Sequence, residues 1–130
     1  MIVSLHVATG AAGGALAGTR LRAAAVGALL HAVGDAIPHR DIDSKPFEIT
    51  SGLALLGLLA GARGLLDPAV VGAAAASAPD LEHVLPLRSP DGRKLFPSHR
   101  FEGWHQEGGL PAWLQLLAAG FIVGALLARR

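Results

Sequence analysis

The chain has no cysteine and no tyrosine, and aromatic residues make up only 5% of its 130 positions. The absence of cysteine excludes disulfides, thiolate metal sites and cysteine nucleophiles. Because β-sandwiches favour aromatic and β-branched side chains, the composition argues against that fold. The net charge is only +1 and no run of Lys or Arg forms a basic surface, so there is no electrostatic case for a nucleic-acid partner.

Hydrophobic residues instead supply 52% of the chain, mostly as Ala, Gly, Leu and Val. Such small side chains allow helices to pack closely. Thr19 and Asp67 are suited to cap helix N-termini, and Pro38 should end a helix before it. We therefore predict one all-α domain over residues 1–130, a small up-down bundle of about five helices with a polar site at one end. The apolar stretches are 2–18, 23–37, 47–62, 68–85 and 110–128.

The length of these stretches bears on the membrane question. A helix crosses a bilayer with about 20 apolar residues and needs at least about 17. The fifth stretch satisfies this and the first nearly does, so we predict that the helices are transmembrane and that the lipid bilayer is a partner. The N-terminus lacks the basic flank of a signal peptide, and we expect it to be retained. A soluble bundle with a histidine-rich end is the alternative, which purification without detergent would test.

All six histidines fall in segments that would meet at one end of an up-down bundle. Long loops can collect polar residues without any function, but they do not explain ionisable side chains inside apolar helices. Such side chains usually face the interior of a bundle. Every acidic residue except Asp67 lies at the same end, whereas the opposite end holds Arg20, Arg22, Arg63, Arg129 and Arg130. Lys and Arg number six at one end and five at the other, which leaves the orientation in a membrane undetermined.

Helical spacing places these ionisable residues in line with small residues. His6 lies four residues before Gly10, and Gly27 lies four residues before His31. The fourth helix repeats the arrangement and ends in Asp80. When the packing faces of several helices change from small to polar residues at the same end, the polar residues can form a ligand cluster at that end of the bundle. The candidate metal ligands are His6, His31, Asp35, His39, Asp80, His83, His99 and His105.

Imidazole and carboxylate ligands without thiolates fit Zn, Mn, Fe or Ni. We therefore expect a divalent metal cofactor, with zinc as the first choice and the number of ions left open. His39 directly follows Pro38 and equally fits a solvated turn. Glu82 and Glu102, as carboxylates beside the ligands, are candidate general bases. Arg100 and Arg40 are candidates to hold an anionic substrate group, although ordinary surface basic residues have the same pattern.

Three segments resemble known metal-dependent hydrolases. The segment Pro79-Asp80-Leu81-Glu82-His83 resembles the Pro-Asp-x-Asp-His signature of the inner-membrane-associated metal-dependent hydrolases of the LexA-binding type. Residues 99–105 resemble the His-Arg-Gly-x-Thr-His-Ser segment of that family, and His6 matches the histidine of its first helix. Residues 31–35 are similar to the His-x-x-Gly-Asp box of zinc-dependent phospholipase C and S1/P1-type nucleases. The resemblance implies a bacterial hydrolase that is multi-pass in the inner membrane.

Two functions follow from this pattern. The first is a metal-dependent hydrolase that uses activated water on a phosphoester or another amphiphilic, lipid-like substrate. The second is a non-catalytic membrane protein whose metal is structural or takes part in transport. Closed coordination would favour a structural metal, and an open position beside a free carboxylate would favour catalysis. A homo-oligomer is compatible with the sequence, and the oligomeric state stays open.

Overall fold

The computed structural model describes residues 1–129, and Arg130, predicted to lie at the basic end, is outside the described residues. Within that range the chain is all-helical and has no strand, which confirms the predicted helical bundle. Among the described residues, β-type pairing is limited to isolated bridges that join His39 to residues 107 and 110. The helices are α1 (Val3–Ala17), α2 (Arg20–Ala36), α3 (Lys45–Arg63), α4 (Pro68–Ser77), a 3-10 helix (Ala78–His83), α5 (Pro97–Arg100) and α6 (Ala112–Ala128).

Two predicted helix caps are present. The Thr19 hydroxyl accepts a hydrogen bond from the backbone N–H of Arg22, and the Asp67 carboxylate accepts one from Ala69. The fourth helix departs from the prediction, because its α-helical part ends at Ser77 rather than near residue 85. Pro79 explains the change, since its ring removes a donor and clashes with the preceding helical turn. The chain continues as a 3-10 helix, in which residues three apart share a face.

Glycine brings α4 into backbone contact with its neighbours. A Cβ atom added at Gly72 would overlap the carbonyl oxygen of Gly10, and one added at Gly27 would overlap the carbonyl oxygen of Gly72. A side chain at Gly14 would likewise overlap Pro68 on α4. These are the small-residue ridges that the spacing predicts, and they let α4 pack between α1 and α2 at close range.

The contacts give alternating helix directions. Gly10 meets Gly72 while Gly14 meets Pro68, so α1 and α4 are antiparallel. The start of α3 lies at the start of α1, where the Val3 N–H donates to the Glu48 carboxylate over 3.2 Å. The start of α6 lies there too, because Gln115 accepts a hydrogen bond from the Ile2 N–H. One end of the bundle therefore collects the starts of α1, α3 and α6 and the ends of α2 and α4.

The transmembrane prediction is wrong. Among residues 1–129, no helix combines the length and the apolar character that a bilayer crossing requires. The most apolar helix, α6, has 17 residues, about 25 Å at 1.5 Å per residue, whereas the hydrocarbon core is about 30 Å thick. The longest helix, α3, includes Lys45, Glu48 and Arg63. The apolar stretches of the sequence are longer than the helices, because some of their residues lie in turns. Without a helix in the described range that can cross the bilayer, the multi-pass inner-membrane assignment is also wrong.

Candidate metal centre

Three donor atoms from two helices converge at the end of the bundle. The Nε2 atom of His31 lies 3.0 Å from Oδ2 of Asp35 and 3.3 Å from Nε2 of His99, and the last two atoms are 3.4 Å apart. His31 and Asp35 are one turn apart on α2, while His99 comes from α5. All three side chains are at most 5% exposed. The spacing matches a metal site, because ligands about 2.0–2.1 Å from a tetrahedral zinc are about 3.3–3.4 Å from one another.

The ring of His31 is oriented by the backbone of α4. Its Nδ1 atom lies 2.8 Å from the carbonyl oxygen of Ala76, to which a protonated Nδ1 donates. In the neutral ring this contact assigns the tautomer and places the lone pair on Nε2, which faces Asp35 and His99. Oδ2 of Asp35 is close to both rings but in hydrogen-bonding geometry with neither. The Nε2 atoms of His31 and His99 are within hydrogen-bond distance of each other, and a divalent ion can take the place of the shared proton, so the three atoms fit a metal ion.

Asp35 is the most heavily contacted carboxylate of the centre. Its Oδ1 atom lies 3.1 Å from Nε2 of His6 and 3.0 Å from the amine nitrogen of Met1. Burial opposes ionisation of Asp35, but its contacts with His31, His6 and His99 hold its pKa far below the ordinary value. For His31, burial favours the neutral ring, yet the contact with Asp35 and the charge of Asp80 raise its pKa. These contacts favour the ionised form of Asp35 and strengthen proton binding by His31.

His6 lies against the ring of His31. The two rings are stacked with centroids 4.1 Å apart, and the Nδ1 atom of His6 is buried without a hydrogen-bond partner. Burial lowers the pKa of His6 to about 4, so its ring is neutral at pH 7 and available as a ligand. His6, His31 and Asp80 each offer a ligand atom within 4.8 Å of the others, which extends the donor set towards the 3-10 helix.

The 3-10 helix adds Asp80 and His83. Oδ1 of Asp80 lies 3.8 Å from Nε2 of His99, and Oδ2 is buried without a partner. Burial and the nearby charge of Asp35 raise the pKa of Asp80 to about 7. Burial and the charges of His99 and Lys94 lower the pKa of His83 to about 4. We call the six residues described so far the central cluster: His6, His31, Asp35, Asp80, His83 and His99.

His39 and His105 form a separate group on the other side of Asp35. Their rings meet edge to face at 4.5 Å, and Asp41 lies 3.2 Å from His39 and 3.3 Å from His105. His39 is buried, and its Nδ1 atom lies 2.6 Å from the carbonyl oxygen of Ile37, so it is not a solvated turn residue. Asp35, His39 and His105 also offer ligand atoms within 4.8 Å of one another. The predicted ligands thus form two groups that meet at Asp35.

Glu82 is buried, and both of its oxygens are used by the backbone. They accept hydrogen bonds from the N–H groups of Leu95 and Phe96 over 2.7 and 2.8 Å. Oε1 lies 3.8 Å from Nδ1 of His99, and Lys94 donates to the Glu82 carbonyl oxygen. This geometry gives Glu82 a positioning role, because it fixes the segment that carries His99.

The remaining predicted residues lie further out. Arg100 donates to Asp91 over 2.8 Å and does not line the cavity beside the cluster. Arg40 is exposed, and its carbonyl oxygen accepts a hydrogen bond from Gln115. Glu102 is exposed but does line that cavity, so its role stays a prediction.

Asp41 and the backbone carbonyl groups that orient the rings were missed by sequence reasoning. Asp41 follows His39 by two residues, and in an extended segment residues two apart share a face. That spacing was the available signal. The roles of the Ala76 and Ile37 carbonyl groups could not be predicted, because every residue has a backbone carbonyl group whatever its side chain.

A cavity of about 970 Å³ opens beside the central cluster, and Asp35, Asp80, His83 and His99 line part of it. Donor groups and open space therefore meet at one place, as a catalytic metal site requires. The chain provides groups of histidine and aspartate that fit a divalent ion. No protein family model, curated protein or solved structure matches the chain.

Proposed function

We propose that the protein is a metal-dependent hydrolase that acts on a phosphoester or another amphiphilic substrate through activated water. The observation that carries this proposal is the triangle of possible ligand atoms formed by His31, Asp35 and His99, with edges of 3.0–3.4 Å. Zinc is the first choice, and Mn, Fe and Ni are compatible with the same donors. A divalent ion held there would lower the pKa of a bound water to about 7 and would polarise the scissile oxygen.

The surroundings of the triangle favour catalysis over a closed structural site. Structural zinc is enclosed by four protein ligands, whereas catalytic sites keep a position open to solvent or substrate. Here Asp35 and His99 of the triangle line the cavity, and so does Asp80. The triangle therefore borders open space, with a further carboxylate beside it.

Asp80 is the residue to which we assign proton transfer. Its Oδ1 atom lies 3.8 Å from Nε2 of His99 and the residue lines the cavity, so its carboxylate stands beside the place where the ion and the substrate would meet. The side chain is only 17% exposed, and this burial raises its pKa to about 7, so Asp80 holds a proton more tightly than a surface aspartate does. His31 and Asp35 bind the ion, and Glu82 holds His99 in place.

Metal analysis tests the proposal first. After dialysis against zinc and gel filtration, wild type should retain at least one equivalent, whereas His31→Ala and Asp35→Ala should lose it. Glu107→Gln, which changes an exposed carboxylate outside the cluster, is the control. Wild type that retains no zinc, nor Mn, Fe or Ni, removes the basis of the proposal.

Turnover separates the hydrolase from a structural metal protein. The metal-loaded protein should hydrolyse a bis(4-nitrophenyl) phosphate, and Asp80→Asn should lose at least about 100-fold in kcat, within the usual range for a general base. Retained metal with no turnover of phosphodiesters or carboxylic esters would support the non-catalytic alternative.

A further inference from the structure

The cavity beside the central cluster has the size and lining of a small-molecule site. Its volume of about 970 Å³ lies at the upper end of the range of ligand pockets, about 300–1,000 Å³. It lies between α3 and the end of α4, and we call it the α3 cavity. Its main apolar residues are Ile49, Leu53, Leu56, Leu81, Val84 and Phe101.

The walls of the α3 cavity leave large apolar side chains open to solvent. Leu53 is 61% exposed, Val84 56% and Phe101 58%, although all three line a concave surface. Apolar side chains gathered around a concavity mark a binding surface, because a ligand that covers them removes their apolar area from water. An alkyl chain is the ligand chemistry that this wall fits.

The floor of the same cavity is polar. His99 is 5% exposed, lines the cavity and has an Nδ1 atom without a hydrogen-bond partner. Asp80 also lines the cavity, and its Oδ1 atom lies 3.8 Å from Nε2 of His99. An apolar wall that leads to a metal-binding floor fits a molecule with an alkyl chain and a ligating headgroup.

Charges around the cavity limit the headgroup. Asp41, Asp43, Glu48 and Glu102 line it, and so does the basic residue Lys45. This excess of carboxylates disfavours a doubly charged anion even when a divalent ion is bound. A phosphodiester, with a single negative charge, is favoured over a phosphomonoester.

We propose that the α3 cavity binds the alkyl chain of a single-chain, monoanionic phosphodiester and directs its phosphate to the central cluster. This inference rests on the proposed function and specifies its substrate class. It requires that binding strengthens with chain length until the apolar wall is covered, by up to about fourfold per buried methylene.

The test measures binding rather than turnover. Zinc-loaded protein is titrated by calorimetry with the methyl, octyl and dodecyl monoesters of methylphosphonic acid, which carry one negative charge, below their micelle concentrations. The dissociation constant should fall steadily along the series. The same value for all three esters would overturn the inference, and so would tighter binding of the dianion dodecyl phosphate than of the dodecyl ester.

A matched pair of variants on α3 locates the chain. Leu53 and Leu58 are 61% and 57% exposed on the same helix, and only Leu53 lines the α3 cavity. Leu53→Gln should weaken dodecyl ester binding about tenfold and leave methyl ester binding unchanged, while Leu58→Gln should change neither. Equal losses in both variants would mean adsorption to the general apolar surface and would overturn the inference.

The two proposals fail in different ways. A protein that binds no metal contradicts the proposed hydrolase itself. A protein that binds zinc and the methyl ester but shows no chain-length dependence leaves the hydrolase intact and contradicts the assignment of the α3 cavity.

Discussion

Replacement of Asp80 by asparagine should stabilise the metal-free protein at pH 8 while it damages the metal centre. The pKa of Asp80 rises from 3.8 to about 7 on folding, because the carboxylate is buried near the charge of Asp35. A tenfold change in a proton-binding constant corresponds to about 1.4 kcal/mol. The proton of Asp80 is bound about 1,000-fold more tightly in the folded state, so its ionisation there destabilises the fold by about 4 kcal/mol.

The sign follows from proton binding. Below pH 3.8 the carboxyl group is protonated in both states and has no effect. Between pH 3.8 and about 7 the folded state keeps a proton that the unfolded state has lost, so stability falls as the pH rises. Above a pH of about 7 the loss is complete. Asparagine cannot ionise, so the variant should lack this slope.

The assay is urea denaturation of chelator-treated protein between pH 4 and pH 8. We expect wild type and Asp80→Asn to have similar free energies of unfolding at pH 4 and the variant to be more stable by up to about 4 kcal/mol at pH 8. Asp43→Asn, at an exposed position, is the control and should show no such difference. Added zinc should stabilise wild type more than Asp80→Asn. A variant that is less stable than wild type at pH 8 would refute the reasoning.

Three further results are expected. Gly72→Ala should destabilise the fold by about 3 kcal/mol because its Cβ would overlap a backbone carbonyl of α1, whereas Gly57→Ala, which meets nothing, should stabilise it by about 0.5–1 kcal/mol; equal effects in denaturation would contradict the close packing. Zinc affinity should fall about tenfold per pH unit below the raised pKa of His31, because the ring must lose its proton to bind; competition titrations that show no pH dependence would contradict this. Glu82→Gln should weaken zinc binding about tenfold and accelerate amide exchange at Leu95, and unchanged exchange would exclude the positioning role.

The packing of the bundle could be predicted because it depends on local periodicity. Gly10, Gly14 and Gly27 recur at helical spacing with ionisable residues, and close approach of two backbones requires glycine at the contact. Helix direction then follows from alternation along the chain. The gathering of His6 and His31 at one end was therefore accessible from the sequence.

The extent of each helix was harder to predict, because turn chemistry interrupts apolar runs. Pro111 sits at the N-cap of α6, so the helix starts later than the apolar stretch. Pro79 converts the end of the fourth helix to a 3-10 helix. The first shortens α6 to 17 residues and the second ends α4 at Ser77, which hydropathy alone does not show.

The division of the ligands into two groups could not be predicted either. It depends on backbone hydrogen bonds between distant loops, such as the N–H of His39 to the carbonyl oxygen of Gln106. The Ala76 carbonyl that orients His31 is likewise a tertiary contact between helices. Neither interaction depends on side-chain identity, so the sequence carries no pattern for it.

Anomalous diffraction from zinc-loaded crystals tests the central claim most directly. We predict a zinc peak between Nε2 of His31, Oδ2 of Asp35 and Nε2 of His99, with ligand distances of about 2.0–2.2 Å. A peak only on exposed residues, or no peak in crystals with saturating zinc, would contradict a metal centre at these three side chains.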